Sequence, residues 1–463
     1  MSRAPFPSAD TRSVARSATG TVWGVSRALR IAIAVLLAGL LAGLAGGLLS
    51  LTNAGIETLA MGHHYFLDPT GVAGVPLWRR LSAPLIGGVI AGLIWWRLRR
   101  RGPIASVNQA VKVGSTTRLT PATLIDALAQ LIVVGSGTSL GRETAPRQVA
   151  GFLGQAISDR IKLGPEGRRT VIATASAAGL SAVYNVPAAG MFYALELILK
   201  PDLKTRRGWL EVLAAAGVSV LATMTAWLFN HNDPIYRLPS PTLAAPMLGR
   251  LAGSLVVVAV VALVVGAAFG WTNDSAKSRT PPAHRVWWAV PLGSALVTAI
   301  AVAVPQVPGN GQIVVQAVLT PPGVPTGVLA GGMVLGGVLL MGLAKWVATH
   351  IALRLGANGG LLTPALALGA CLGAAVGLLS GHRSPSEIAV LAVVGAACLL
   401  AVTQRAPLFA AAFALELVKA PPVMIAAAVI GVALTWAARW LVLRGWARLR
   451  ATPALRPGTP PGN

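Results

Sequence analysis

A glycine-rich loop that carries one carboxylate is the part of the sequence best suited to chemistry. Residues 135–146 read GSGTSLGRETAP, so Arg142, Glu143 and Thr144 follow several glycines and precede a short apolar segment. Glycines let a backbone approach an ion closely, and a helix beginning after such a loop offers free amides and a positive dipole end to an anion. A neighbouring carboxylate competes for these amides when ionised and leaves them when protonated. We therefore predict that Glu143 gates an anion site, with a structural salt bridge to Arg142 as the alternative.

Three further acidic residues, Asp126, Glu196 and Glu416, lie in apolar segments. A carboxylate inside a membrane span costs about 2.5 to 3.5 kcal/mol on insertion scales, so each needs a compensating environment. Asp126 is a possible proton route, although a position facing lipid headgroups or a cytoplasmic cavity is the favoured interpretation. Glu196 and Glu416 stand at equivalent positions of an internal repeat, and for them we expect bonds to backbone amides at a helix end or to an Arg.

The elements that position these residues are predicted to be membrane helices. The chain of 463 residues is 54% hydrophobic and only 11% charged, whereas soluble domains average about 25% charged residues. Residues 31–56, 251–273 and 286–344 contain no Asp, Glu, Lys or Arg, and each stretch exceeds the roughly 20 residues that span a bilayer. The runs lack the two-residue alternation of barrel strands. The sequence therefore predicts an all-α polytopic membrane protein.

The positive charge of the chain is concentrated at the ends of the apolar segments. The formal net charge is +24, and Arg and Lys cluster at both termini, at residues 97–101 and at residues 200–207. By the positive-inside rule these parts are cytoplasmic, so both termini are expected on the inner side of a bacterial-type plasma membrane. Contact with anionic membrane lipids accounts for the charge, and no nucleic-acid partner is predicted.

Two ordered matches indicate that the membrane region consists of two homologous halves. Residues 185–197 read NVPAAGMFYALEL and residues 405–417 read RAPLFAAAFALEL, 220 positions later, while GRETAP at 141–146 corresponds to GGLLTP at 359–364, 218 positions later. Several apolar segments are short and interrupted by Gly and Pro, which is typical of broken helices around a transport site. The predicted parts are a basic cytoplasmic N-terminal tail (1–30), a first half with the gate loop (31–230), a second half (231–443) and a short cytoplasmic C-terminal tail (444–463).

These motifs resemble those of the CLC family of chloride channels and chloride/proton antiporters, over the whole membrane region. Residues 141–143 match the start of the family's GREGP loop, whose Glu is the gate, with Thr and Ala at the next two positions. Residues 359–364 match the GGxFxP loop, whose backbone amides help to bind the central anion, with Leu362 in place of the Phe. Residues 184–190 and 405–410 match the family's FNAPLAG and RAPLTG segments.

The resemblance implies a CLC-type fold of two inverted repeats with broken and re-entrant helices. It also implies a homodimer with a chloride pathway in each subunit, on which helix N-termini converge. The predicted gate is Glu143. The predicted anion-binding residues are Gly102, Pro103, Ile104, Arg142, Glu143, Thr144, Leu361 and Leu362.

Three departures from the family pattern bear on the mechanism. The family's GSGIP loop is matched by residues 101–105, so its anion-binding Ser hydroxyl is missing, and Ser106 is out of register. No Tyr stands near the end of the last helix, where the family has one at the central site. The second Glu that serves the inner proton route of antiporters is replaced by Leu197. Anion contact is therefore expected to rest mainly on backbone amides, and the usual proton coupling is not expected.

The sequence thus predicts transport of chloride or another small anion, as a CLC-type channel or weakly coupled transporter gated by Glu143. One alternative is a chloride/proton antiporter that uses Asp126 or a water path. A second alternative is a non-transporting membrane sensor or scaffold. An enzyme is not predicted, because the chain shows no nucleophile with a base, no metal cluster and no phosphate loop, and no cofactor or metal is expected.

Overall fold

The computed structural model describes residues 11–62, 72–112, 115–238, 246–319 and 335–451. Within these ranges the regular structure is helical, apart from one isolated bridge between Gly141 and Gly360. This architecture confirms the prediction of an all-α membrane protein. The helices are α1 (Thr11–Met61), α2 (Leu77–Arg101), α3 (Val107–Ala110), α4 (Pro121–Gly135), α5 (Thr144–Arg160), α6 (Pro165–Tyr184), α7 (Pro187–Phe192), α8 (Arg206–Asn230), α9 (Met247–Ser278), α10 (Val286–Ala303), α11 (Gln312–Leu319), α12 (Leu335–Arg354), α13 (Leu362–Leu379), α14 (Pro385–Gln404), α15 (Pro407–Leu417) and α16 (Pro422–Ala451).

Nine helices in the described ranges are long and apolar enough to cross a bilayer. In seven of them only 28% to 50% of the most apolar stretch is buried, so they present Leu, Val and Ile side chains outward. The corresponding stretches of α13 and α14 are 83% and 89% buried. These two helices therefore form the centre of the protein, surrounded by the helices that face lipid.

Glycines let the two central helices lie against each other. A Cβ on Gly369 or Gly373 of α13 would overlap the backbone of α14, and a Cβ on Gly395 would overlap the backbone of α13. Small residues permit such close approach between membrane helices, where van der Waals packing takes the place of the hydrophobic effect. The position of α13, and of its N-terminus at Leu362, is consequently fixed by backbone packing along its length.

Several helices are too short to cross a bilayer, as the sequence predicts. In the described ranges these include α4, α5, α11 and α15, together with α7, which continues as a π-helix over Tyr193–Leu199. Proline occupies the first position of α4, α7 and α15, at Pro121, Pro187 and Pro407. Proline fits there because its backbone angle is preset for a helix and its missing N–H has no partner to lose. A single Pro residue thus marks where each of these three short helices begins.

The two halves have the same local backbone at their repeated segments. Asn185 ends α6 and Arg405 ends α14, both in the left-handed conformation, with φ of 56° and 55°. Each is followed by one extended residue and then by the Pro that starts the next short helix. The left-handed residue terminates the long helix and redirects the chain into the short one.

Two carboxylates join the halves reciprocally. Glu416, at the end of α15, accepts hydrogen bonds of 2.9 and 2.7 Å from the amides of residues 188 and 189 at the start of α7. Glu196, following α7, accepts bonds of 3.2 and 2.8 Å from the amides of residues 408 and 409 at the start of α15. Free amides and the positive end of a helix dipole both stabilise a carboxylate. Both carboxylates therefore bond to backbone amides at a helix end, as the sequence predicts. Each one caps the short helix of the other half, so the two contacts are equivalent under the inverted repeat.

The first helix is longer than the apolar run that predicts it. α1 begins at Thr11, within the part assigned to the basic tail, and continues to Met61. The sequence from Thr11 to Arg30 contains no Pro, so nothing in it forces the helix to stop at the edge of the apolar run. Residues 452–463, most of the predicted C-terminal tail, lie outside the described ranges.

Candidate functional site

The gate loop of the first half pairs with the glycine loop of the second half. The amide of Gly141 donates to the carbonyl of Gly360 at 2.9 Å, and the amide of Gly360 donates to the carbonyl of Gly141 at 2.8 Å. Gly141 lies just before α5 and Gly360 just before α13. This reciprocal pair therefore brings the N-termini of α5 and α13 together at the contact between the two halves.

The Glu143 carboxylate occupies the N-terminus of α13. Its side chain is fully buried, one oxygen accepts a hydrogen bond from the amide of Leu362, and the other accepts one from the hydroxyl of Thr363 at 3.3 Å. Leu362 is the first residue of α13, so its amide has no partner within the helix. Burial disfavours a charge here, whereas the amide, the hydroxyl and the helix dipole favour a negative one. An anion that displaced the carboxylate would meet the same donors.

Two glycines shape the space around this carboxylate. A Cβ added to Gly141 or to Gly360 would overlap the carboxylate of Glu143. Neither residue can therefore carry a side chain unless the Glu143 carboxylate moves. Gly141, Gly360, Leu362 and Thr363, which together enclose the Glu143 carboxylate, are called the gate pocket below.

Substitution of Gly360 by Ala is expected to open the gate pocket. The added methyl group would push the Glu143 carboxylate away from the Leu362 amide, because the two would otherwise overlap. Chloride efflux from liposomes should rise several-fold over that of the wild type. Gly270→Ala, at a position with open space around the added Cβ, is the matched control and should leave efflux unchanged. Equal efflux from both variants would contradict the proposed position of the gate.

Polar and aromatic side chains surround the pocket on the side of Arg142. Arg142 is buried, donates to Gln312 at 3.3 Å, and lies 5.6 Å from the centre of the Tyr184 ring. Arg147, one turn along α5, lies 4.3 Å from the centre of the Tyr193 ring and acts electrostatically on Glu143. Two cations thus accompany the start of α5, which favours a negative charge at the gate pocket.

A buried lysine beside the pocket is missed when only acidic residues are considered. Lys345 of α12 is fully buried and donates to the carbonyls of Val307 and Gly309 at 2.8 and 2.6 Å. A Cβ on Gly311 would lie 3.2 Å both from Cε of Lys345 and from the carbonyl oxygen of Thr363, so the lysine stem is near the first turn of α13. A lone lysine in an apolar run is itself an indication of function in a membrane protein.

Asp126 lies at the centre of a buried hydrogen-bond network. Its carboxylate accepts bonds from Trp95 at 2.7 Å, Gln130 at 2.9 Å, Gln148 at 2.7 Å, and Asn358 at 3.0 and 3.1 Å. The expectation that Asp126 faces lipid headgroups or a cavity is wrong, because the residue is fully buried. Four N–H donors from separate side chains compensate its desolvation.

The network connects both sides of the gate pocket. Gln148 belongs to α5, the helix that begins beside Glu143, and Asn358 directly precedes the Gly359–Gly360 loop. Every hydrogen-bond partner of the Asp126 carboxylate in the described ranges is a donor. Such a network positions the two loops relative to each other.

Of the other predicted anion-binding residues, two border the gate pocket and three lie between α2 and α3. Thr144 is the first residue of α5 and Leu361 immediately precedes α13, so both border it. Gly102, Pro103 and Ile104 are partly or largely exposed between α2 and α3, and α3 reaches α5 where Val107 meets Gly151. That contact lies about two helical turns along α5 from Glu143, and the anion-binding role of residues 102–104 stays a prediction.

Ser106 has a local structural role. It precedes α3, where its hydroxyl accepts from the amide of Gln109 at 3.2 Å while the Gln109 side chain accepts from the Ser106 amide at 2.9 Å. This capping box uses the hydroxyl at the helix end. In the described part of the chain, no group of three His, Cys, Asp or Glu side chains is placed to hold a metal ion.

Comparison with known sequences identifies relatives over most of the membrane region. A family model described as voltage gated chloride channel matches residues 87–437. The voltage-gated ClC-type chloride channel ClcB of Salmonella dublin is 30% identical over 348 residues, which cover 72% of this chain and 78% of the relative. ClcB of Escherichia coli O157:H7 is 30% identical over 345 residues, covering 72% and 77%.

Solved structures share the fold. A slow cyanobacterial Cl−/H+ antiporter superposes with a TM-score of 0.71 at 20% identity, covering 91% of this chain and 99% of that one. A CLC-type fluoride/proton antiporter gives a TM-score of 0.67 at 18% identity, covering 88% and 94%. The fold, the paired loops and the family match over most of the membrane region agree, and the chain belongs to the family of voltage-gated chloride channels, the CLC family.

Proposed function

We propose that this integral membrane protein conducts chloride, or another anion of similar size, through the gate pocket. The observation that carries the proposal is the Glu143 carboxylate bonded to the first amide of α13. A carboxylate, which is negative in its ionised form, already occupies this position. Burial disfavours that charge, whereas the Leu362 amide, the dipole of α13 and the nearby Arg147 favour it. A small anion carries the same charge and can accept the same hydrogen bonds.

Glu143 acts as the gate by competing with the anion. In its ionised form the carboxylate accepts bonds from Leu362 and Thr363 and closes the pocket. Protonation removes its charge and with it most of the advantage of these bonds, since bonds to a charged acceptor are about twice as strong as bonds to a neutral one. The side chain then leaves, and an anion takes its place at the Leu362 amide.

The coupling of this flux to protons is proposed to be weak or absent. Leu197 stands where the resemblance places the inner proton-carrying Glu of antiporters, and a Leu side chain binds no proton. The alternative route through Asp126 is not favoured, because the hydrogen-bond partners of its carboxylate among the described residues are four side chains that do not titrate, namely Trp95, Gln130, Gln148 and Asn358. Antiport over a water path would show itself as chloride-driven proton uptake.

The assembly and orientation follow from the resemblance and the charge distribution. We propose a homodimer with one pathway in each subunit and with both termini in the cytoplasm. The exposed Leu, Val and Ile side chains of the outer helices supply apolar surface for lipid and for a second copy. Cross-linking in native membranes and protease access to tags at the two termini test these two statements.

The experiment is a simultaneous measurement of chloride efflux and proton uptake in liposomes, with the voltage clamped by an ionophore. We expect chloride efflux without a stoichiometric proton flux. Proton uptake against its gradient, driven by chloride, would contradict weak coupling and support the antiporter. Absence of flux of any small anion from folded protein would contradict transport and support the sensor or scaffold alternative.

A further inference from the structure

Arg147 lies between the gate pocket and the π-helix that continues α7. Glu143 directly precedes α5, and Arg147 follows it by four residues, about one helical turn along the same face. The guanidinium carbon of Arg147 lies 4.3 Å from the centre of the ring of Tyr193, the first residue of the π-helix. The charges of Arg147 and Glu143 both act on Tyr193. Arg147 thus places a positive charge between the gate carboxylate and the π-helix.

Among the described residues, no carboxylate forms a salt bridge with Arg147. Its Nε is buried and has no hydrogen-bond partner in this part of the chain, and the Glu143 carboxylate accepts its bonds from α13 instead. Arg169 of α6 differs, because it pairs with Glu211 at 3.7 Å. The ring of Tyr193 stabilises a cation but leaves its charge in place. The charge of Arg147 therefore acts on whatever passes beside it.

The π-helix leads from this contact to the side of the membrane that the sequence predicts to be cytoplasmic. Tyr193 is its first residue, and the basic cluster at residues 200–207 follows its end directly. Arg169 donates to its last two carbonyls, at 3.4 and 2.9 Å. A proton that moved along this helix between the cytoplasm and the Glu143 carboxylate would have to pass Arg147.

A fixed cation at this place has opposite effects on protons and on anions. The guanidinium group of an Arg does not lose its proton in proteins, so its charge is permanent. At distances of about 12 to 6 Å and an effective dielectric constant of about 20, one charge lowers the occupancy of a like charge by about ten- to a hundred-fold. The same field favours an anion. An Arg beside a pore can exclude protons in this way.

We propose that Arg147 is a proton barrier, whose charge excludes protons from the passage between the π-helix and the gate pocket. The proposal rests on the proposed function and deepens it, because it attributes the weak coupling to a cation that is present as well as to a missing carboxylate. Leu197 lies about one turn beyond Tyr193 on the π-helix. A carboxyl group introduced there is therefore not sufficient to let protons through.

The test introduces that carboxyl group with and without the charge of Arg147. Proton uptake is measured in liposomes at an imposed inside-negative voltage, with an impermeant anion only. Leu197→Glu alone should take up protons no faster than the wild type. Leu197→Glu combined with Arg147→Met should take them up at least about ten-fold faster, because Met keeps an apolar stem beside the Tyr193 ring and removes the charge. Equal rates in the single and the combined variant would overturn the barrier.

Arg147→Gln, combined with Leu197→Glu, is a second neutral variant and should behave as Arg147→Met does. All rates are compared at equal amounts of folded protein, measured by size-exclusion chromatography before reconstitution. The two neutral variants differ in polarity, so a rise in both follows from the loss of charge. No rise in either of them would overturn the proposal.

Arg147→Lys and Arg160→Met, each combined with Leu197→Glu, are the matched controls. Lys keeps a cation beside the ring of Tyr193, so proton uptake should stay at the level of Leu197→Glu alone. Arg160→Met removes the same charge from the exposed last turn of α5, roughly 20 Å along the helix from Arg147, and should have no effect. A rise in either control as large as that with Arg147→Met would contradict a barrier made by the charge at this position.

Chloride efflux from the same preparations separates this proposal from the proposed function. Absence of efflux of any small anion from the wild type would contradict the proposed function, while faster proton uptake in the combined variant would still support the barrier. Efflux from the wild type, together with equal proton uptake by Leu197→Glu and the combined variant, would uphold the proposed function and overturn the barrier.

Discussion

Chloride flux through Glu143→Gln is expected to exceed that of the wild type by at least about ten-fold at neutral pH. In the wild type the Glu143 side chain accepts hydrogen bonds from the Leu362 amide and the Thr363 hydroxyl, and we propose that these bonds to the ionised carboxylate stabilise the closed state. Bonds to charged groups contribute about 1.5 to 3 kcal/mol, and each 1.4 kcal/mol changes a population ten-fold. The neutral amide loses most of this stabilisation, so the pocket is free for the anion during a larger fraction of the time.

The same substitution is expected to remove the pH dependence of the flux. Wild-type flux should rise as the pH falls, because protonation of Glu143 takes away the charge that competes with the anion. Flux through Glu143→Gln should be flat over the same range, since the side chain no longer binds a proton there. Glu166→Gln, the same change at an exposed position, is the control. Unchanged flux and an unchanged pH response in Glu143→Gln would contradict the gate.

Replacement of Asp126 by Asn is expected to destabilise the protein by about 3 kcal/mol. The four donor side chains that now bond to a buried carboxylate would lose a charged acceptor, and the new NH₂ group would face donors. Removal of one partner from a buried charged network typically costs about 3 to 5 kcal/mol. The apparent melting temperature of the purified protein should fall by several degrees. Chloride flux through the protein that remains folded should be lower than that of the wild type, because Gln148 and Asn358 lose the carboxylate to which both donate.

Asp159→Asn is the appropriate control for this change. Asp159 pairs with Arg118 and with Arg168 at the surface, its side chain is 32% exposed, and exposed pairs contribute about 1 kcal/mol or less. Its melting temperature should be close to that of the wild type. A stable Asp126→Asn protein that loses only proton movement would contradict the positioning role and would favour the proton route.

The local structure around Glu143 can be predicted from the sequence because its determinants are close together in the chain. The glycines, the carboxylate and the short helix after it follow one another in residues 135–160, and the starts of α4, α7 and α15 are marked by Pro. The repeat and the resemblance to the CLC family are likewise contiguous motifs, and the family is confirmed. The pairing of Gly141 with Gly360 follows from the inverted repeat once both loops are recognised.

The environment of Asp126 could not be derived in this way. Gln130 lies four residues after Asp126 on α4, but Trp95, Gln148 and Asn358 come from three other segments of the chain, and nothing in the sequence indicates that these meet Asp126. Burial of a carboxylate depends on such long-range donors, so the pattern around Asp126 alone suggests exposure. Lys345 is the opposite case, because a lysine at the end of a long charge-free run is visible in the sequence.

We propose that the first amide of α13 is an anion site that the carboxylate of Glu143 closes. The most direct measurement is the position of bromide, from its anomalous scattering, in crystals of Glu143→Ala. We expect bromide within hydrogen-bond distance of the Leu362 amide, in the space that the carboxylate of the wild type fills. Bromide bound elsewhere along the pathway, with none at the Leu362 amide, would contradict it.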